Sequence, residues 1–308
     1  MTAGVIRPGT VFRDQHGDVA QLHGVGIQRF GDTYWAWGED KARGQLFTGV
    51  SCYRSTDLAT WELVGHALAV DETVPDLGPD RVVERPKVLR EPRSGTYVMF
   101  LHIDSRDYAD ARLGYAVSPS PEGPYTYVRS ERPLGHISRD IGVFQDDDGT
   151  GYVMSEDREH GLHIYRLSDD YLGVTRIVST TLTPHGVHGY ESPALVKVDG
   201  VYHLFGSDLT GWSTNDNKYA TATDLAGPWS PWRDVAPAGS STFDSQTSTV
   251  VTVAGSETTA YVYVGDRWQR DDLAGSPAVW LPLTIADGRA TVAWRDEWSV
   301  DPVTGLIT

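Results

Sequence analysis

The chain of 308 residues carries 26 Lys and Arg against 42 Asp and Glu, a formal charge of −16 with no basic run to interrupt it. That balance argues against a nucleic-acid or anionic-membrane partner, and the single cysteine, Cys52, excludes an intrachain disulfide. The opening Met-Thr-Ala-Gly-Val-Ile-Arg-Pro lacks the apolar run of a signal peptide, and no segment reaches membrane-spanning length. The expected location is the cytoplasm, or outside the cell if a leader has been removed.

Taken in chain order, one unit recurs five times, a turn rich in Gly, Asp or Ser followed by an aromatic strand. Its copies read Gly-Asp-Thr-Tyr-Trp-Ala-Trp from 31, Ser-Gly-Thr-Tyr-Val-Met-Phe from 94, Gly-Thr-Gly-Tyr-Val-Met from 149, Asp-Gly-Val-Tyr-His-Leu-Phe from 199 and Glu-Thr-Thr-Ala-Tyr-Val-Tyr-Val from 257. The tyrosines Tyr34, Tyr97, Tyr152, Tyr202 and Tyr261 are 63, 55, 50 and 59 residues apart, enough for four strands and their loops. A short apolar strand precedes each tyrosine across hairpin turns such as Val-Asp-Gly-Val at 198. A third strand and a Ser/Asp/Pro turn follow the first four, and fourth-strand material stands at Trp61-Glu-Leu-Val, Tyr125-Thr-Tyr-Val and Trp229-Ser-Pro-Trp. No long helical period competes. The pattern predicts an all-β, five-bladed β-propeller as a single unit over residues 1–308, with a β-sandwich or two small β domains as the rival architecture.

In a propeller the innermost strand of each blade runs along the central channel, so its first residues converge at one mouth. Counting back from the tyrosines by 11, 13, 12, 11 and 15 residues gives His23, Glu84, Asp140, Glu191 and Gln246. Three acids in one pocket raise one another's pKa and supply a proton donor near neutral pH, which glycoside hydrolysis needs beside a group that handles the attacking water. A single such acid is more often a strand cap or salt-bridge partner. Recurrence at one phase in several blades favours the catalytic reading.

These blades, with Glu-Arg-Pro-Lys-Val-Leu around Glu84, Ser-Arg-Asp-Ile-Gly around Asp140, Tyr-Glu-Ser-Pro-Ala around Glu191, Leu-Thr-Gly-Trp at 209, Phe-Asp-Ser-Gln-Thr-Ser around Gln246 and Gly-Asp-Arg-Trp at 265, resemble glycoside hydrolase family 43. The finer pattern is similar to its exo-β-1,3-galactanase subfamily. Most of the family uses a first-blade aspartate as general base, whereas this chain has His23 and Gly24 there. The resemblance implies Glu191 as general acid, Asp140 as modulator of its pKa, Gln246 as the group holding the water and Glu84 as a substrate-binding carboxylate and rival base. It further implies that Glu39, Tyr108, Thr210 and Trp212 contact the terminal sugar. The implied reaction is inverting removal of single galactose units from the non-reducing end of β-1,3-galactan or its oligosaccharides, by a monomer without an appended carbohydrate-binding module. No cofactor is implied as required. Many relatives hold calcium in the channel, and metal content stays open at this point.

Two further readings remain open from the sequence: another family 43 glycosidase, an α-L-arabinofuranosidase or β-xylosidase, and a catalytically silent sugar-binding propeller that keeps the pocket. Asp146-Asp147-Asp148-Gly149 lacks the downstream glutamate of a calcium loop and reads as a hairpin turn. His185 and His188 read as a loop near Glu191 that shapes the pocket, and Trp229 and Trp232 as packing between blades.

Overall fold

The computed structural model describes residues 4–186 and 188–308. Among these residues, twenty strands form five separate four-stranded antiparallel sheets, each a continuous stretch of chain. Blade 1 holds β1 (His23–Phe30), β2 (Thr33–Glu39), β3 (Gly49–Ser55) and β4 (Glu62–Ala69). Blade 2 holds β5 (Val82–Arg90), β6 (Tyr97–Asp104), β7 (Arg112–Ser118) and β8 (Thr126–Glu131), and blade 3 holds β9 (Arg139–Gln145), β10 (Gly151–Asp157), β11 (Gly161–Leu167) and β12 (Val174–Thr181). Blade 4 holds β13 (Glu191–Val198), β14 (Val201–Ser207), β15 (Lys218–Ala222) and β16 (Arg233–Asp234). Blade 5 holds β17 (Gln246–Ala254), β18 (Thr259–Asp266), β19 (Ala278–Ala286) and β20 (Arg289–Val292). The arrangement is the five-bladed propeller that the repeat predicts, and every repeat tyrosine lies at or near the start of its blade's second strand.

One fourth strand differs from expectation. Trp229-Ser-Pro-Trp does not pair; the outer strand of blade 4 is Arg233–Asp234, opposite Lys218 and Tyr219. Pro228 and Pro231 have no N–H to give a ladder, so pairing starts only beyond them. The two indoles do pack between blades 3 and 4, where Trp229 donates to Ser179 Oγ and Trp232 to the Leu182 carbonyl.

The core is distributed between blades, and strand alternation explains how. On β6, Met99 and Leu101 pack with Trp37 of blade 1, while Phe100 packs with Val153 and Tyr165 of blade 3. Likewise Met154 of β10 in blade 3 packs with Leu204 of blade 4, whereas Phe205 of blade 4 joins Val279 and Leu281 of blade 5. Blade 5 returns to blade 1 through Val262, Trp280, Ala36 and Trp61, with Trp61 and Trp280 edge to face at 5.8 Å. Cys52 is one of these packed side chains and is fully buried.

Each innermost strand carries a bulge at its channel mouth. Register shifts fall after His23, Glu84, Glu191 and Thr247, and Asp140 is the unpaired residue between the Arg139–Glu156 and Ile141–Ser155 pairs. Gly24, Arg85, Asp140 and Ser192 take φ of 55°, 53°, 30° and 55°, the left-handed turn that lets an extra residue re-aim its side chain. These bulges bend the openings of four of the strands, at Glu84, Asp140, Glu191 and Gln246, into one cavity.

Candidate active site

That cavity, of about 270 Å³, is lined by Glu39, Lys41, Gln45, Glu84, Arg85, Tyr108, Asp140, Arg158, Glu191, Gly211, Trp212, Gln246 and Trp268. It brings together Glu84, Asp140, Glu191 and Gln246 from four blades, with Glu39, Tyr108 and Trp212 on its walls. Two expected residues stand elsewhere. Thr210 lies one residue outside the lining, and its hydroxyl serves the loop by accepting from Asn215 Nδ2 and donating to the Ser213 carbonyl. His23 is buried behind the wall, with Nε2 3.3 Å from the Ala274 carbonyl and its ring against Trp268. Burial pushes its pKa down to about 4, so the imidazole is neutral. Neither His185 nor His188 lines the pocket, and His188 lies 3.5 Å from Asp208.

Arg85 organises the polar floor. Fully enclosed, it donates to Gln246 Oε1 at 2.5 Å, sits 3.3 Å from Asp140 and 3.5 Å from Asp266, and presents its backbone N–H to Glu39 Oε1 at 2.9 Å. Gln246 Oε1 also accepts from Trp268 Nε1 at 2.9 Å, and its Nε2 donates to Glu191 Oε1 at 2.9 Å. Two donors on one atom identify that atom as the amide oxygen, which fixes which way the glutamine points.

Glu191 is held toward its protonated form. Burial, then the neighbouring charges of Asp140 and Glu156, raise its pKa well above the ordinary value, with Arg158 and Arg85 opposing. Arg158 stands 3.6 Å from Glu191 Oε2 and 3.5 Å from Glu156. Glu84 is surrounded by hydrogen-bond donors: its Oε1 receives Lys41 Nζ at 3.0 Å and the Tyr108 hydroxyl at 3.1 Å, and its Oε2 lies 3.6 Å from His102 Nδ1. His102 in turn contacts Asp104 at 2.9 Å. Glu39 is sealed by Lys41 at 2.6 Å; burial alone would raise its pKa, but Lys41 and Arg85 hold it down at about 2. A Cβ on Gly24 would fall 1.8 Å from Glu39 Oε1, so the glycine at the first-blade position is what admits this carboxylate.

The residues that the strand pattern did not single out form a second ring. Opposite His23, Glu84, Arg139, Glu191 and Gln246 stand Glu39, His102, Glu156, Ser207 and Asp266 at the ends of the second strands, all buried. Of these, only Glu39 was anticipated. Burial pushes the pKa of Glu156 up to about 7 and that of Asp266 to about 6.

The carbonyls at the opening of the first strand are already engaged, because Lys87 Nζ donates to Gly24 and Val25 at 2.7 and 3.1 Å, and a charged Lys87 there disfavours an oxygen-ligated calcium ion beside it. Burial and then Arg85 depress the Lys87 pKa to about 7.

Comparison with known proteins agrees with this geometry. Residues 25–281 match the sequence profile of glycosyl hydrolases family 43. A structure from Bifidobacterium bifidum s17, whose naming as an exo-β-1,3-galactanase is provisional, is 50% identical, with 94% of this chain and 97% of that one aligned at a TM-score of 0.92. An exo-β-1,3-galactanase from Phanerochaete chrysosporium solved with β-1,3-galactotriose is 37% identical, covering 99% of this chain and 70% of that one at 0.93. One from Clostridium thermocellum is 36% identical, over 99% and 68%, at 0.93. A curated xylan 1,3-β-xylosidase from a Vibrio species is 26% identical over 220 residues, and the match spans 39% of its length. With the matched profile covering most of the strands that build the pocket, the chain belongs to glycosyl hydrolase family 43.

Proposed function

We propose that the chain is an inverting exo-β-1,3-galactanase that releases one galactose at a time from the non-reducing end of β-1,3-galactan or its oligosaccharides. The observation that carries this reading is the pairing of Gln246 with Glu191 at 2.9 Å in a pocket whose first-blade acid is replaced by His23 and Gly24. The relatives at 36–50% identity named for this activity supply the sugar and linkage. A cavity of about 270 Å³ is smaller than the roughly 300–1,000 Å³ of sites for drug-sized ligands and suits a single terminal sugar.

In this mechanism Glu191 gives its proton to the oxygen of the β-1,3 bond as that oxygen leaves C1. A water attacks C1 from the opposite face and surrenders a proton, and α-galactose results. Gln246 is a poor proton acceptor here, because both lone-pair directions of Oε1 are taken by Arg85 and Trp268. It orients groups through its N–H donors, and orientation alone lowers a barrier substantially. Glu84, a carboxylate backed by His102 and Asp104, takes the water's proton.

Proton NMR of fresh β-1,3-galactobiose digests tests the stereochemistry: α-galactose is expected first, and initial β-galactose would rule out inversion. Absence of any release would leave a sugar-binding propeller. Comparing Glu84→Gln with Gln246→Ala tests the base, with a kcat loss of about 10²–10⁴ expected for Glu84→Gln and a smaller one for Gln246→Ala. A larger loss at Gln246 would assign the proton to the amide.

Trp212 is 38% exposed at the mouth and meets Trp268 edge to face at 6.0 Å. Its ring offers a platform for the apolar face of a sugar. Trp212→Ala should raise KM by about 2–10-fold with kcat nearly unchanged, as measured by steady-state kinetics on galactotriose.

A further inference from the structure

We propose that His136, Asp157, His160 and His163 form a binding site for a divalent transition metal, with zinc the ion their donors suit best. They come together at the channel-mouth end of blade 3. His136 lies in the loop before β9, Asp157 ends β10, His160 belongs to the β10–β11 turn and His163 lies on β11.

Ligand atoms of His136, Asp157 and His160 all lie within 4.8 Å of one another. Three imidazoles converge on one oxygen of the buried Asp157: His136 Nδ1 at 2.9 Å, His160 Nδ1 at 3.0 Å and His163 Nε2 at 3.5 Å from Oδ2. The other oxygen is spent on the backbone N–H groups of Glu159 and His160. One carboxylate oxygen cannot serve three ring nitrogens well, and the consequence is visible: His163, 2% exposed, has its Nε2 buried with no hydrogen-bond partner among the described residues and aimed at the cluster. An ion would give that nitrogen a partner. Zinc–nitrogen and zinc–oxygen bonds of about 2.0–2.2 Å place neighbouring tetrahedral ligands roughly 3.3 Å apart, close to the spacings present.

The surroundings resemble a built site. His163 Nδ1 is held by Thr180 Oγ1 at 2.8 Å, the kind of contact that fixes a ligating imidazole's orientation. His160 and His136 side chains are 57% and 26% exposed and give the ion access. Three imidazoles with one carboxylate favour zinc, copper or nickel over calcium or magnesium, which prefer all-oxygen shells. The turn between Asp157 and His160 also carries Arg158, the exposed cation that reaches Glu191. Metal bound there ties down the segment that delivers this charge to the pocket.

The test uses the full chain without an affinity tag, freed of metal by chelator and titrated with zinc chloride by calorimetry. One zinc per chain at micromolar affinity or tighter is expected, with a raised melting temperature and no such response to calcium. His160→Ala and His136→Ala, both at accessible positions, should each weaken zinc binding at least about tenfold. Cobalt substituted into the wild type should show the intense visible bands of tetrahedral coordination. Absence of stoichiometric zinc binding, or undiminished binding in either variant, would overturn the site.

Discussion

Glu191→Gln is expected to lower kcat on β-1,3-galactobiose by about 10²–10⁴, with KM little changed, because an amide fills the same space but has no proton to give. On an aryl galactoside, whose phenolate leaves without help, the loss should shrink. A loss as large on the aryl substrate would point to misfolding or misplacement of the sugar. The wild-type rate should fall as pH rises through the raised pKa of Glu191, since the acid works only while protonated. That limb should vanish in the variant.

The same residue makes a stability prediction of defined sign. The folded pKa of Glu191 lies above the ordinary 4.5, so between those two values the folded chain binds more protons than the unfolded one. Stability from this group therefore falls as pH rises through that window. Glu191→Gln removes the penalty and keeps an oxygen for Gln246 Nε2 to donate to. It should melt with the wild type near pH 4 and above it at pH 8. Coincident melting curves at both pH values would contradict the burial argument.

Arg85→Met should produce the largest structural effect. The guanidinium lies among Asp140, Asp266 and Gln246 with almost no solvent contact, and Asp266 is itself 3% exposed. Removing it strands buried carboxylates, a change that typically costs about 3–5 kcal/mol and, for a chain of this length, roughly 5–8 °C in melting temperature. Asp266→Asn in the same chain removes one stranded charge and should recover part of the loss, as a double-mutant cycle by thermal denaturation would measure. If Arg85→Met melts within about 2 °C of wild type, the floor of the pocket is held by something other than this cation.

The blade count, the repeat tyrosines and the convergence of Glu84, Asp140, Glu191 and Gln246 on one cavity were legible because strand alternation and turn chemistry are local signals. Thr210 was displaced from the expected wall by a loop whose course depends on Asn215, a contact that spacing does not reveal. His102, Glu156 and Asp266 were missed although a regular signal existed: each follows its repeat tyrosine by four or five residues, where the second strand ends beside the first strand's opening. Reading that offset as a register would have paired them with the catalytic candidates. Arg85 and Trp268 sat inside quoted segments, but their roles depend on left-handed backbone at Arg85 and on packing across blades. The outer strand of blade 4 was misplaced for the opposite reason, since tryptophans outweighed prolines in judging strand character.

Because each blade is one continuous stretch, no strand is shared to lock the last blade to the first. That junction is a seam, closed by the isolated bridges Ile6–Trp298 and Thr10–Ala278, the Trp61–Trp280 contact and Ser248 Oγ on the Val25 carbonyl. The pocket straddles it, with Glu39 and Lys41 on one lip and Gln246 and Trp268 on the other. Catalytic competence thus depends on a junction that side-chain packing and isolated bridges must close without a covalent connection from one blade to the next. A crack there would scatter the site while all five sheets kept their ladders, so loss of turnover on warming should precede loss of β-sheet signal.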